Sequence, residues 1–216
     1  MKIGVLGSGI VGRTLAAGFL KHGHSVMLGT RDPKMKSIRD WLAATPGASV
    51  GTFEETAKFG ELLVLAALGR AVEHVLRLAG EENLADKTLI DTNNPIDETP
   101  PPQDGVLRFF TGPNESLAER IQSKWPKLRV VKAFNSVGAG AMVNPQYEQG
   151  PPTMFFCGND DSAKTTVAKL IRQLGWEPFD CGGIIAARAI EPLCMLWCIP
   201  GFRANKWNHA FKLLER

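Results

Sequence analysis

The feature that most constrains this chain lies at its start. The hydrophobic run "KIGVL" leads directly into "GSGIVG", which places Gly7, Gly9 and Gly12 in the G-x-G-x-x-G spacing, and an amphipathic stretch follows. A lone match to that spacing is weak. A strand running in and a helix running out supply the context that gives it meaning. Gly7 permits a tight turn, Gly9 lets the backbone approach a pyrophosphate, and Gly12 allows the helix to pack closely on the strand. Ser8, Ile10 and Val11 lie between them, where amides at a helix start bind phosphate.

The rest of the chain repeats that alternation. Candidate strands at 2–7, 25–29, 48–51, 62–66, 88–91 and 129–133 are separated by helical patterns such as Val11, Leu15 and Phe19, or Val72, Val75, Leu76 and Ala79. The expected fold is α/β: a Rossmann-like doubly wound parallel sheet over residues 1–140, with a small C-terminal α/β extension over 141–216. That extension reads as strand "TMFFCG", helix "DDSAKTTVAKLIRQLG", strand "WEPFDCG" and an apolar helical tail from about 184 to 215. After Asp91, the Pro-rich "TNNPIDETPPPQDG" is too long for a simple turn and is expected to border the site. A helix follows, with Asn114 as its cap and a capping-box spacing from Ser116 to Glu119.

Composition narrows the partners. With 216 residues, 44% hydrophobic and 22% charged, the chain suits one compact core with an appended unit. A net charge of +3 spread along the chain suggests neither nucleic acid nor an anionic membrane. No uninterrupted apolar run approaches the roughly 20 residues of a span, and no cleavage site follows the first strand, so the expected compartment is the cytoplasm. Cys157, Cys181, Cys194 and Cys198 form no CxxC pair, and none has a histidine at metal-ligand spacing. Reduced thiols and no metal are expected.

The end of the second strand selects the cofactor. NAD-binding chains usually place Asp or Glu there, about 20 residues past the glycine loop, for the ribose 2′-hydroxyl. Here the position falls near Thr30, followed by Arg31. Threonine can hydrogen-bond a 2′-phosphate and arginine can pair with it bidentately, so NADP is the expected cofactor. Asp32 before Pro33 is expected to cap a helix starting near Lys34. Lys34 or Lys36 can add positive charge beside the phosphate, and each also fits as a solvated surface lysine.

The nicotinamide is expected where "LAALGR", "DTNNP" and "KAFNSVGAG" converge beyond the strand ends. Asn93, Asn94 and Asn135 carry amides suited to a carboxamide or ribose, although each also fits as a turn residue. Ala66, Ala67 and Ala133 let a planar ring approach backbone, with Leu68 and Pro95 in the same segments. The combination of "GVLGSGIVG", "LGTRDP", "IDTNNPI", "VKAFN", "FFCGNDD" and "AFKLL" resembles the coenzyme F-420-dependent NADP oxidoreductase family over nearly the whole chain. The same cofactor-binding fold occurs as the cytoplasmic domain of membrane metalloreductases. The resemblance implies that Thr30 and Arg31 bind the 2′-phosphate and that hydride passes directly between nicotinamide and a stacked deazaflavin, with no acid or base required. No catalytic residue is therefore expected.

An apolar wall for such a partner is expected from Ser136 and Val137 facing Leu193, Met195, Leu196, Trp197 and Ile199. These residues also fit as core or a dimer seam. A flavin or another small-molecule redox co-substrate is the near variant of the deazaflavin. A nonenzymatic NADP(H) sensor is the rival of a different class. His22, His24 and His74 fall away from the expected site, while His209 lies in the tail. The apolar tail and analogy suggest a homodimer.

Overall fold

The computed structural model describes residues 1–97 and 104–215; positions 98–103 of the Pro-rich stretch lie outside the described residues. In chain order the elements are β1 (Lys2–Leu6), α1 (Ile10–Lys21), β2 (Ser25–Gly29), α2 (Lys36–Ala43), β3 (Ser49–Gly51), α3 (Phe53–Phe59) and β4 (Leu62–Leu65). Then come α4 (Val72–Ala79), α5 (Glu81–Leu84), β5 (Thr88–Asp91), β6 (Ile96–Asp97), β7 (Arg108–Phe109), α6 (Leu117–Lys124) and β8 (Arg129–Lys132). The extension adds β9 (Thr153–Gly158), α7 (Asp161–Gln173), β10 (Glu177–Asp180), α8 (Ala187–Ile190) and α9 (Leu193–Ala204).

Eight strands form one sheet in the order β10-β9-β8-β5-β4-β1-β2-β3, and β6 pairs with β7 in a separate ribbon. Its six core strands, β3-β2-β1-β4-β5-β8, are parallel and follow the doubly wound order, with the topological switch between β1 and β4. Runs such as "LLVL" in β4 are buried along their whole length because helices cover both faces. On one face Ile3, Val5, Leu15, Phe19, Val167 and Leu170 share a core. On the other, Leu63, Leu65, Phe53, Leu76, Leu117 and Ile121 share a second. β9 joins β8 antiparallel and β10 runs parallel to β9, so the extension widens the same sheet.

Three local expectations change, and one further stretch passes a test of length and composition. Ser116, not Asn114, is the N-cap of α6, its hydroxyl accepting from Glu119 N–H at 3.1 Å. Asp32 caps no helix: its carboxylate accepts from Lys34 N–H at 2.9 Å in a local turn, and α2 begins at Lys36 without a side-chain cap. The tail is not helical to 215. α9 stops at Ala204, Asn205 adopts φ 49°, and the chain folds back so that Trp207 lies where a Cβ on Gly201 would stand. Finally, Ile184–Ala204 is a helical stretch long and apolar enough to cross a membrane by composition, with mean hydropathy 1.4. Its Glu191 is buried in an ion pair with Lys132, so the stretch is folded onto the sheet.

Candidate functional site

The three glycines are separately required. Gly7 has φ 133°, and a Cβ there would collide with the Ala66 carbonyl oxygen at the end of β4. A Cβ on Gly12 would strike the carbonyl of Gly7, so α1 sits directly on the loop. Gly9 differs from both: nothing stands within 4 Å of its Cβ direction. Its bareness serves no packing need and leaves room for a ligand to approach the backbone. No side chain caps α1, which leaves the amides at its start available to phosphate oxygens. Ser8 is half-buried and Val11 likewise, while Ile10 is 74% exposed.

Beside the loop, Ser8 Oγ donates to Thr30 Oγ1 at 3.1 Å, which ties the glycine loop to the end of β2. Thr30 is buried, Arg31 is exposed, and no carboxylate occupies that strand end. Arg13, which the sequence reading passed over, donates through Nε to the Ser8 carbonyl at 2.8 Å and through Nη2 to Ser37 Oγ at 3.3 Å. It fixes the loop to α2 and lines an open cleft of about 620 Å³ with Ser8, Gly9, Ile10, Thr14, Ala17 and Trp41. Lys36 is exposed and pairs with Asp40 at 2.7 Å along α2. That placement is the solvated alternative weighed for it.

At the crevice itself the loops interlock. Ala66 is buried, Ala67 half-buried and Leu68 66% exposed. Asn93 is not free to meet a ligand, because its amide is taken up by the scaffold. Its Oδ1 accepts from Ala67 N–H at 2.8 Å, and its Nδ2 donates to Leu65 O at 3.1 Å and Asp91 Oδ1 at 2.6 Å. Asn94 and Asn135 clasp each other, Nδ2 to O at 2.8 Å and Nδ2 to Oδ1 at 3.1 Å, and Asn135 also donates to Ile190 O at 2.9 Å. Asn135 Oδ1 is buried without a partner among the described residues. A buried orphan acceptor calls for a donor. The amide N–H of a nicotinamide fits that need. Pro95 is buried and Ala133 is sealed in the core, so Ala133 offers no open backbone to a ring. Between Ala133 and Asn135, the fully buried Phe134 adopts φ 61°, an outlier for a bulky residue of the kind that clusters at functional sites.

Beneath these loops lies a charge cluster that the sequence reading missed. Asp91 and Lys132 are the last residues of β5 and β8 and face each other in register. Lys132 Nζ lies 2.9 Å from Asp91 Oδ2 and 3.0 Å from Glu191 Oε1, all three side chains being essentially inaccessible, and it also donates to Asn93 O. Glu191 accepts from Leu117 N–H and Ala118 N–H, each at 3.0 Å, at the start of α6. Burial pulls the Lys132 pKa down, but the two carboxylates outweigh it and hold it above the ordinary lysine value. The signal was present: a lysine inside the apolar run "RVVKAF" can be buried only if paired.

The expected second-substrate wall is mixed. Val137 belongs to the core and Ser136 is buried, Met195 is half-buried, and Leu196 is 54% exposed. Trp197 fills the space beside Gly138, where a Cβ would lie 2.7 Å from its ring, so α9 closes against the loop after β8. His209 stacks on Trp197 with centroids 5.0 Å apart. His24 bonds Gln173 at 2.7 Å away from the crevice, and His74 is exposed on α4. Among the described residues no group of His, Cys, Asp or Glu could hold a metal ion. The four thiols are free, and burial pushes Cys157 up to about 12.

A doubly wound sheet with a bare glycine loop and a Thr-Arg strand end has the layout of an NADP-binding protein, and its relatives place it among the NADP-dependent oxidoreductases. More narrowly, the chain belongs to the coenzyme F420-dependent NADP oxidoreductase family, whose model matches residues 2–95. A crystal structure of a candidate F420-dependent NADP reductase from Arthrobacter sp. FB24 is 36% identical, covers 100% of both chains and superposes with TM-score 0.93. Metalloreductase STEAP3 of Rattus norvegicus is 33% identical over 92% of this chain and 38% of its own length. The chain thus spans little more than a third of that curated relative. An imine reductase from Myxococcus stipitatus in complex with NADP+ is 17% identical, with TM-score 0.68 over 91% of this chain and 60% of its own; it shows the fold alone.

Proposed function

We propose that the protein transfers hydride between NADP(H) and a deazaflavin, coenzyme F420. The single observation that carries the nucleotide half is the strand end at Thr30–Arg31, held to the glycine loop through Ser8 and lacking a carboxylate. There Arg31 can pair with a 2′-phosphate while the start of α1 binds the pyrophosphate. Asn135 Oδ1 can take the carboxamide N–H and set which face of the ring is presented. The family relationship supports the acceptor half. Bound nucleotide supplies the hydride from nicotinamide C4 to deazaflavin C5, a step that asks the chain for alignment and water exclusion rather than a proton.

The reading extends to a cytoplasmic homodimer that engages neither nucleic acid nor membrane, supported by the modest dispersed charge and by exposed Phe202, Trp207 and Leu214 near the C-terminus. Light scattering of the purified protein checks the dimer. The deciding experiment is stopped-flow oxidation of NADPH with F420, FAD, FMN and a ferric chelate offered in parallel. Rapid turnover with F420 alone is the expected result. Turnover confined to a flavin or to ferric iron would replace the acceptor. Tight NADPH binding without oxidation by any of them would point to an acceptor outside this set or to a nonenzymatic NADP(H) sensor.

A further inference from the structure

The Lys132 cluster has a charge as well as a shape. One ammonium and two carboxylates sum to −1, and the start of α6 offsets only about half a charge at Glu191. The cluster is inaccessible to solvent, so water and salt screen it weakly. It lies at the carboxyl ends of β5 and β8, Asp91 three residues before Asn94 and Lys132 three before Asn135, and the unpartnered Asn135 Oδ1 adds the negative end of an amide dipole in the same loop. Ligands of a doubly wound sheet lie beyond the carboxyl ends of the strands at the switch between β1 and β4, and β5 is paired with β4 beside it. When hydride leaves a nicotinamide, the ring gains one positive charge. We propose that the buried Asp91–Lys132–Glu191 cluster is an electrostatic bias in the floor of the crevice that binds NADP+ in preference to NADPH and so favours hydride leaving the nucleotide.

The proposal rests on the NADP reading, and nothing in the hydride step then requires the cluster to change its protonation. Its members are positioning residues that act through space on the bound ring. A purely structural role predicts something different: loosening the crevice would weaken both nucleotides together. The distinguishing quantity is therefore the ratio of the two dissociation constants, which needs no acceptor and no turnover.

Titration of wild type, Glu191→Gln and Asp91→Asn with NADP+ and with NADPH, followed by calorimetry, tests it. Each variant removes one negative charge with little change of shape. The ratio Kd(NADP+)/Kd(NADPH) should rise in both variants by roughly three- to tenfold, the scale of one charge acting across a partly polar interior. The double variant Lys132→Met/Glu191→Gln keeps the net charge at −1 and should return the ratio towards wild type. Equal weakening of both nucleotides, with the ratio unmoved, would overturn the proposal while leaving the NADP reading intact. Should the variants fail to fold, wild type alone decides: NADP+ must bind more tightly than NADPH, and the reverse order overturns the bias. Failure of wild type to bind either nucleotide would remove the NADP reading and the bias together.

Discussion

In the proposed NADP site Arg31 carries the choice between nucleotides, because it is exposed directly after Thr30, which Ser8 Oγ holds at 3.1 Å. Arg31→Ala should weaken NADPH binding by about 1.5–3 kcal/mol, the scale of a charged hydrogen bond, and leave NADH nearly unchanged. Equal losses for both nucleotides in a fluorescence titration would sink the assignment. Gly9 and Gly12 make a second contrast at this scale. Because nothing approaches Gly9 within 4 Å, Gly9→Val should melt near the wild-type temperature yet bind neither nucleotide. Gly12→Val pushes its side chain into the Gly7 carbonyl and should lower the melting temperature before any ligand is added. A Gly9→Val protein that melts normally and still binds NADPH would refute the loop's role. The position of these residues was legible because each glycine or charge stands at a fixed offset from a strand end. Asn93 was not, since one amide looks like another until its three partners are seen.

At the scale of elements, α6 joins the dinucleotide core to the extension. Ser116 caps it, its first amides hold Glu191, and Glu119 receives the Arg188 guanidinium through bonds of 2.7–3.1 Å. Ser116→Ala should cost about 1 kcal/mol of stability, the usual price of a lost cap, measurable by denaturant titration. The hydrogen-bonded Arg188 holds the Glu119 carboxyl below the ordinary glutamate value. A carboxyl depressed in the folded state contributes stability that is present above its unfolded pKa and is lost as pH falls through the folded one. Arg188→Ala should therefore lower the melting temperature at neutral pH and flatten its fall on the acid side. An acid limb as steep as wild type would show that Arg188 is not what holds the Glu119 carboxyl low. Strands could be read from short apolar runs and most helices from hydrophobic period, because burial on both faces makes a parallel strand apolar throughout and burial on one face imposes the helical period. Cap positions were harder: Asn114 and Ser116 offer the same chemistry two residues apart, and Asp32 satisfied its backbone locally instead of starting a helix.

For the molecule as a whole, the widest gap between sequence and structure is the C-terminal segment, and the reason is long-range. Its apolar composition reads as helix, but after Asn205 its backbone groups find partners 12 or about 60 residues away. His209 O accepts from Trp197 Nε1 at 2.8 Å, Phe211 O accepts from Thr153 N–H at 2.9 Å, and Leu213 N–H donates to Thr153 Oγ1 at 3.0 Å. No local pattern encodes such pairings. The segment thereby braces Trp197, which in turn meets the Gly138 loop after β8, and it covers the start of β9 where β8 has already ended. Truncation after Ala204 should leave the glycine loop and Thr30 in place, since these hydrogen bonds of the segment run to Trp197 and Thr153. It should lower stability by about 2–4 kcal/mol through the lost hydrogen bonds. With Trp197 freed, the KM for the acceptor should rise severalfold while the Kd for NADPH stays near wild type. If instead NADPH binding falls as far as acceptor affinity, the tail is supporting the whole sheet rather than the acceptor side, and the division of labour between core and extension must be redrawn.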